Sequence, residues 1–438
     1  MLPEIITSIP GPKSLELAQR LNRVESQNIT FYNEDWPIFW KKTKDAMVWD
    51  VDGNGYIDLT SAFGVAGLGH RFSALTDTIH AQADELIHAM GDVHPCEQKV
   101  VLCERLSELT YERWTGESGK TILGNSGFEA VESALKSAYI VTGKPNIITF
   151  KNGYHGLGYG ALMGTGYEWF RKPFEHQLAD NRHLLSYPSG DSLESAWQRF
   201  LTEVSTLDTS KIGALLMEPI QGRGGTVEPV EGVLTKIRQW CTEHEVCLIF
   251  DEIYTGFHRT GNWFACEKEG VVPDFICLAK ALSGGYPISA CVGKAKLMDH
   301  WEKSEGEALH TSTFLGNPLG CAMAITSLQH LEAAELPAQI QKQHEWWCGA
   351  LENLDMGLEL RIRGRGLMLG LECLESNGKP ATQKVLAAVE TLLKKGIIIL
   401  PEGPEAHIFG ITPTFTMTKE QINFCCEAIA DSLRLEIS

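Results

Sequence analysis

Apolar residues along this chain gather into short unbroken runs separated by longer stretches with helical spacing. The short runs are "KTILGN" (120–125), "NIITF" (146–150), "IGALLMEP" (212–219), "VCLIFDE" (246–252) and "FICLAK" (275–280). Between them lie helical patterns such as "GFEAVESALKSAYIVTG" (127–143) and "EGVLTKIRQWCTEHE" (231–245). Strands that are apolar on both faces, alternating with helices, predict an α/β domain with a mostly parallel sheet covered by helices. After "NPLGCAMAITSLQHLEAAEL", a long helix, the pattern changes to "GLELRIRGRGLMLGLECLE" and "KKGIIILPEG", mixed with helices at 379–395 and 418–434. This tail predicts a smaller α+β domain over 328–438, following a large domain over 61–327. Residues 1–60 form an N-terminal segment expected to pack with the small domain. It contains "DAMVWDVDGNGYIDL", where Asp52-Gly53-Asn54-Gly55 turns between two alternating strands.

Composition narrows the possible partners. A formal net charge of −18 over 438 residues argues against a nucleic-acid or anionic-membrane surface, both of which need clustered Lys and Arg. No stretch approaches the ~20 apolar residues that span a bilayer, and no basic-then-apolar leader is visible, so a cytoplasmic protein is expected. The 12 cysteines are scattered without a C-x-x-C pair, which predicts reduced core thiols and no zinc site.

The candidate chemistry lies at the ends of the predicted strands, where an open α/β sheet presents its ligand site. "LIFDEIYTGFHRTG" (248–261) brings Asp251 and Glu252 to the end of an apolar run. Such an acid either caps the following turn or serves a ligand. Lys280 ends another apolar run and precedes the small-residue turn "ALSGGYP". An ammonium at that edge is costly to desolvate unless it pairs or changes state. "GNSGFEAVESALK" opens a helix directly after a small-residue turn, which suits a phosphate; Ser126 with Glu129 also fits an ordinary capping box. Phosphate seat, lysine and buried acid together match what pyridoxal phosphate requires: a cradle, an imine-forming amine and an anion at the ring nitrogen.

Nine blocks in order then carry a family resemblance over nearly the whole chain: "WDVDGNGYIDL", "GLGH" (67–70), "NSGFEAVESALK", "GYHG" (153–156), "EPIQGRGG" (218–225), "DEIYTGFHRTG", "PDFICLAKALSGGYPISA", "HTSTFLGNP" (310–318) and "RGRGLMLGLE". The chain resembles the class III (omega) aminotransferases of the fold-type I pyridoxal-phosphate enzymes. The resemblance implies that Lys280 binds the cofactor and shuttles the proton, and that Asp251 pairs with the ring nitrogen. It places Ile253 and Tyr154 on the two ring faces. It assigns the phosphate to Ser126, Gly127 and the N–H of Phe128, with Thr313 added from the neighbouring subunit of a homodimer. Glu218 and Gln221 would face the cofactor edge, or merely stabilise their turn.

On the substrate side the sequence departs from the family. The usual carboxylate-binding arginines correspond to Gly410 and Leu157, while Arg223 stands where several relatives have Glu. Arg223 is therefore the candidate carboxylate anchor, against the alternative of a solvated loop residue. Phe63, with Trp36 and Phe39, suggests an apolar amine pocket, or else core or dimer contact. His155 and His258 read as structural or cofactor-adjacent. The expected activity is ping-pong transfer of an amino group from a primary amine or omega-amino acid to a keto acid. The alternatives are an intramolecular aminomutase like the glutamate-semialdehyde aminomutases, another pyridoxal-phosphate reaction such as decarboxylation or racemisation, or a catalytically silent binding homologue. "GRGLMLG" (364–370) lacks the strand and helix of a dinucleotide loop, and "HPCEQKV" and "HEWWC" lack metal-ligand spacing.

Overall fold

Each of the five apolar runs forms a strand of one sheet. In spatial order its seven strands are Gly119–Gly124, Ser289–Lys294, Phe275–Leu278, Cys247–Asp251, Ile212–Met217, Asn146–Phe150 and Arg182–Leu185. All are parallel except Ser289–Lys294, which runs antiparallel to both neighbours. The computed structural model describes residues 1–33, 35–190, 192–352 and 357–435. It divides the chain into two compact units, Ser73–Leu336, and Met1–Phe72 with Pro337–Ser438.

In the larger unit, the helix Gly127–Thr142 lies on the sheet. Its small residues Ala130, Ala134 and Ala138, at helical spacing, meet Ile147, Leu216, Ile249, Phe275 and Cys277. Alanines on that stripe let the helix approach the strands closely, and each large apolar side chain so buried contributes about 1.5–3 kcal/mol. The run expected to reach Lys280 leaves the ladder earlier. The strand ends at Leu278, and Lys280 begins a single short 3-10 turn with φ at +48°. A lysine rarely holds that left-handed backbone without tertiary support.

The other unit contains two four-stranded sheets. The expected hairpin is present as Met47–Asp50 and Gly55–Asp58, flanked by Trp40–Lys44 and, in parallel, Ile397–Ile398. Asp50 organises the turn: its carboxylate accepts the N–H groups of Asp52 and Asn54, the Asn54 amide and the Tyr56 hydroxyl, all at 2.7–2.9 Å. The second sheet is antiparallel, in the order Glu359–Arg365, Met368–Leu374, Ile408–Ile411, Leu400–Glu402. A strand does precede "GRGLMLG", contrary to expectation, but the motif turns into a second strand of a hairpin and no helix follows it. Trp36 packs against the cluster of Val48, Tyr56, Leu393 and Ile398.

One ion network ties the sheet of the larger unit to its flanks. Asp274 accepts Arg238 and Lys294, each at 2.7 Å, and the backbone N–H of Leu248 at 2.8 Å. Burial pushes this carboxyl up, but Arg238, Lys294 and the hydrogen bonds outweigh it and hold the group below its usual range. A carboxyl depressed in the folded state adds stability above the unfolded value near 3.8 and loses it as pH falls through the folded one. Asp274→Asn is therefore expected to destabilise the protein by about 1–3 kcal/mol at pH 7. Urea titrations of both proteins should begin to converge as pH falls below about 4, through the lowered folded value; a penalty independent of pH would mean that the charge of Asp274 is immaterial.

Candidate active site

Because six of the seven strands are parallel, their carboxyl ends share one edge. The loops that follow Gly124, Phe150, Met217, Asp251 and Leu278 carry most of the candidate residues. Asp251 faces Cys277 across the ladder, and Lys280 enters three residues beyond that partner.

The two adjacent acids at 251 and 252 serve different ends. Glu252 is fully buried; its carboxylate accepts the N–H groups of Ala265 at 2.9 Å and Cys266 at 2.8 Å, and the Thr255 hydroxyl. Burial pushes its pKa up, against those bonds. Glu252 thus locks the loop after the strand. Asp251, 4% exposed, receives a bond from Ile253 N–H at 3.1 Å on one oxygen and lies 2.8 Å from His155 Nδ1 on the other. Glu218 senses this charge: its pKa is pushed up to about 7, first by burial and further by Asp251, against the pull of His155 and two backbone N–H groups.

At the first strand, Ser126 caps the helix Gly127–Thr142 in a capping box with Glu129. The Glu129 carboxylate takes the N–H groups of Asn125 and Ser126 at 2.6 and 2.7 Å. The N–H groups of Gly127 and Phe128 have no protein acceptor among the described residues, and the helix dipole favours an anion there. At position 127 a Cβ would meet the Ile253 side chain at 3.0 Å, so glycine lets that side chain pack closely on the helix start. That contact joins the anion seat to the loop after Asp251.

The loop after Phe150 and the turn after Met217 are bound together. Glu218 accepts Tyr154 N–H at 2.9 Å and Gly222 N–H at 3.0 Å, and the Gln221 amide donates to the Lys151 carbonyl at 2.8 Å. Tyr154 packs edge-on against Phe170, with centroids 5.6 Å apart. The Arg223 guanidinium lies over both rings, 5.1 Å from the Tyr154 centroid and 5.8 Å from that of Phe170. Arg223 is exposed and has no carboxylate partner among the described residues. Burial raises the Tyr154 hydroxyl pKa, opposed by Arg223.

Lys280 Nζ rests 3.7 Å from the centroid of the Tyr254 ring. Thr313 lies on an exposed loop whose Ser312 hydroxyl is 3.4 Å from Asn125 Nδ2. Phe63 and Trp36 belong to the other unit, where Phe63 is 58% exposed in a left-handed stretch and Trp36 joins the core. The Glu402 side chain lies over Gly410, also in that unit: a Cβ there would meet the Glu402 carboxyl carbon at 2.5 Å and require that side chain to shift. His258 is buried against Trp263, and burial lowers its pKa to about 4. Sequence reasoning gave no role to Tyr254 or Phe170 and left that of His155 open. The only signal for Tyr254 was its place three residues after Asp251 in a recognised block.

This set fits pyridoxal phosphate: open N–H donors at a helix start, a buried carboxylate held by a histidine, and a lysine in the turn just beyond the adjoining strand. Among the described residues there is no cluster of three His, Cys, Asp or Glu able to hold a metal. The family model for class III aminotransferases matches residues 31–433. The chain is 33% identical to the 4-aminobutyrate aminotransferase of Mycobacterium leprae (strain TN), over 95% of each chain. It is 32% identical to the acetylornithine aminotransferase of Methanosarcina mazei, over 88% of this chain and 89% of that one. The ornithine aminotransferase of Toxoplasma gondii ME49 superposes with a TM-score of 0.82 at 27% identity, covering 97% of this chain and 95% of that one. A family match of this extent, with relatives a third identical along nearly all of both chains, shows that this protein is a pyridoxal-phosphate-dependent enzyme of the class III aminotransferase family.

Proposed function

We propose that this aminotransferase passes an amino group from a primary amine or omega-amino acid to a keto acid whose carboxylate is anchored by Arg223. The observation that carries this reading is the guanidinium stacked on Tyr154, without an acidic partner among the described residues, on the loop tied to Tyr154 through Glu218. Arg presents a planar fork to a carboxylate, and the aromatic face beneath it limits the freedom lost on binding. The relatives named for 4-aminobutyrate and acetylornithine support an amino group remote from a carboxylate as the donor chemistry.

When bound, pyridoxal phosphate supplies the carbonyl that takes up the amino group and a cationic ring that accepts charge. Gly127 and Phe128 N–H groups would hold its phosphate, with Ser126 shaping the turn, and Ile253 and Tyr154 would flank the ring. Asp251, fixed by His155 and Ile253 N–H, holds a proton at the ring nitrogen. Lys280 removes the proton at the substrate carbon and returns it on the neighbouring side. Glu218 and Gln221 brace the loops behind Tyr154. Phe63 and Trp36 remain proposed substrate contacts, with the packing of Trp36 favouring a structural part.

A homodimer is supported by apolar side chains exposed together on the larger unit, Ile87, Met90, Val93 and Phe314. Thr313, beside Phe314, would then reach the partner's phosphate. The net charge of −18 supports small-molecule partners over nucleic acid or membrane. Among the described residues no helix is long and apolar enough to cross a membrane. The 12 unpaired cysteines support a reducing, cytoplasmic setting.

Three measurements test these roles. Asp251→Asn should keep bound cofactor, seen by absorbance, yet lower turnover by about 100-fold or more, because a neutral amide cannot hold the ring proton; an unaltered rate removes Asp251 from the chemistry. Arg223→Ala should lower kcat/KM for the keto acid by ~30-fold or more, from a loss of about 2 to 5 kcal/mol, and spare the half-reaction with an uncharged amine. Equal damage to both halves would make Arg223 a cofactor-positioning residue, and damage to neither would favour the aminomutase alternative. Finally, a carboxyl raised in the folded state stabilises below its unfolded value, near 4.5 for Glu218, and loses that contribution as pH rises through about 7. Cofactor-free protein should therefore lose stability between those values, and Glu218→Gln should flatten the slope in urea titrations; parallel profiles would contradict the buried carboxyl's protonation.

A further inference from the structure

The contact between Lys280 and Tyr254 has no part in the roles assigned so far. Nζ lies 3.7 Å from the ring centroid, inside the range where an ammonium is attracted to the electron-rich face of an aromatic ring. Both residues are half-buried, so water competes poorly for that charge. The contact is also built by two constrained backbones. Lys280 holds φ at +48° at the start of its 3-10 turn, and Tyr254 sits in the loop that Glu252 locks through Ala265, Cys266 and Thr255. These backbones fix where the two side chains originate. A lysine released from covalent linkage must be kept near the reacting carbon, or it will wander into solvent on four rotatable bonds.

We propose that the face of Tyr254 is the seat of the Lys280 ammonium, which makes Tyr254 a positioning residue for that lysine. The seat holds the protonated amine in the cofactor-free protein and again whenever turnover sets the amine free. This inference rests on the reading of Lys280 as the cofactor-binding lysine. A ring face suits the task better than a carboxylate would, because it attracts the cation without supplying a base for its proton. The attraction is also weak enough to be surrendered when the amine must act.

The test is trace acetylation of the full-length, cofactor-free protein with acetic anhydride at fixed pH, read by mass spectrometry of the Lys280 peptide and normalised to the exposed Lys303. An ammonium held on a ring reacts slowly, since only the free amine is acylated. Tyr254→Leu should speed labelling of Lys280 by about 2- to 30-fold, Tyr254→Phe should match the unaltered protein, and Tyr254→Trp, with the stronger face, should slow it. Circular dichroism and thermal midpoints close to those of the unaltered protein establish that each variant is folded, and Trp provides the opposite sign should Leu fail to fold. Equal labelling in Leu, Phe and Trp overturns the seat, and so does faster labelling in Phe, which would assign the effect to the hydroxyl. Borohydride reduction of the unaltered protein with pyridoxal phosphate, followed by peptide mapping, tests the underlying reading separately. A tag on Lys280 with unresponsive labelling removes the seat alone. A tag on another lysine removes the assignment of Lys280, and the seat with it.

Discussion

The buried acid at the end of the central strand is the constraint around which the larger unit is arranged. An ionised carboxylate taken out of water costs several kcal/mol unless hydrogen bonds and a counter-charge replace its hydration. Asp251 finds two of those replacements within the protein, the His155 ring and the N–H of Ile253. The cationic cofactor ring would complete the set. Glu218, which feels the Asp251 charge, has its pKa pushed up to about 7 despite two backbone N–H groups that favour its ionised form. Burial and the neighbouring charge of Asp251 thus act in the same direction on Glu218 and push its carboxyl up.

The sheet makes this arrangement affordable. A strand flanked by strands and covered by the helix Gly127–Thr142 has no slack in its position, so the register that pairs Asp251 with Cys277 also fixes where Lys280 begins. The antiparallel strand Ser289–Lys294 inserts between the first strand and the rest, and sets the anion seat one strand farther from Asp251. Ile253 spans part of that distance by packing on Gly127. A single loop therefore carries a ring-face candidate, a lock at Glu252 and the aromatic seat at Tyr254.

Much of this was legible in the chain before any coordinates. The five apolar runs became strands because residues buried on both faces leave a continuous signature. The hairpin turn at 52–55 was legible from glycine spacing, and the acid, lysine and helix start from their places after apolar runs. The antiparallel strand escaped because "SACVGK" is short and contains small residues, a pattern that reads as easily as turn. The fourth strand of the hairpin sheet, Ile397–Ile398, is only two residues long and is defined by its partner. His155 and Asp251 stand 96 positions apart, and no local periodicity records a bond across that separation. The same holds for Arg223 on Tyr154 and for Glu402 folded over Gly410. Spacing predicts elements, while such contacts follow from how elements assemble.

The two cations of the larger unit's site share a physical solution. Arg223 lies on Tyr154 and Lys280 on Tyr254, each with its positive group toward a ring face. A carboxylate partner would hold Arg223 more tightly, but it would also have to be desolvated, and under the proposed role it would compete with an incoming substrate carboxylate. An aromatic face contributes about 0.5–2 kcal/mol, enough to choose one rotamer of a long side chain and too little to prevent its departure. A ring face does not itself cancel a positive charge. For the proposed roles, an acceptor carboxylate drawn to Arg223 and a base freed at Lys280, an interaction that orients a cation without itself neutralising it meets both needs.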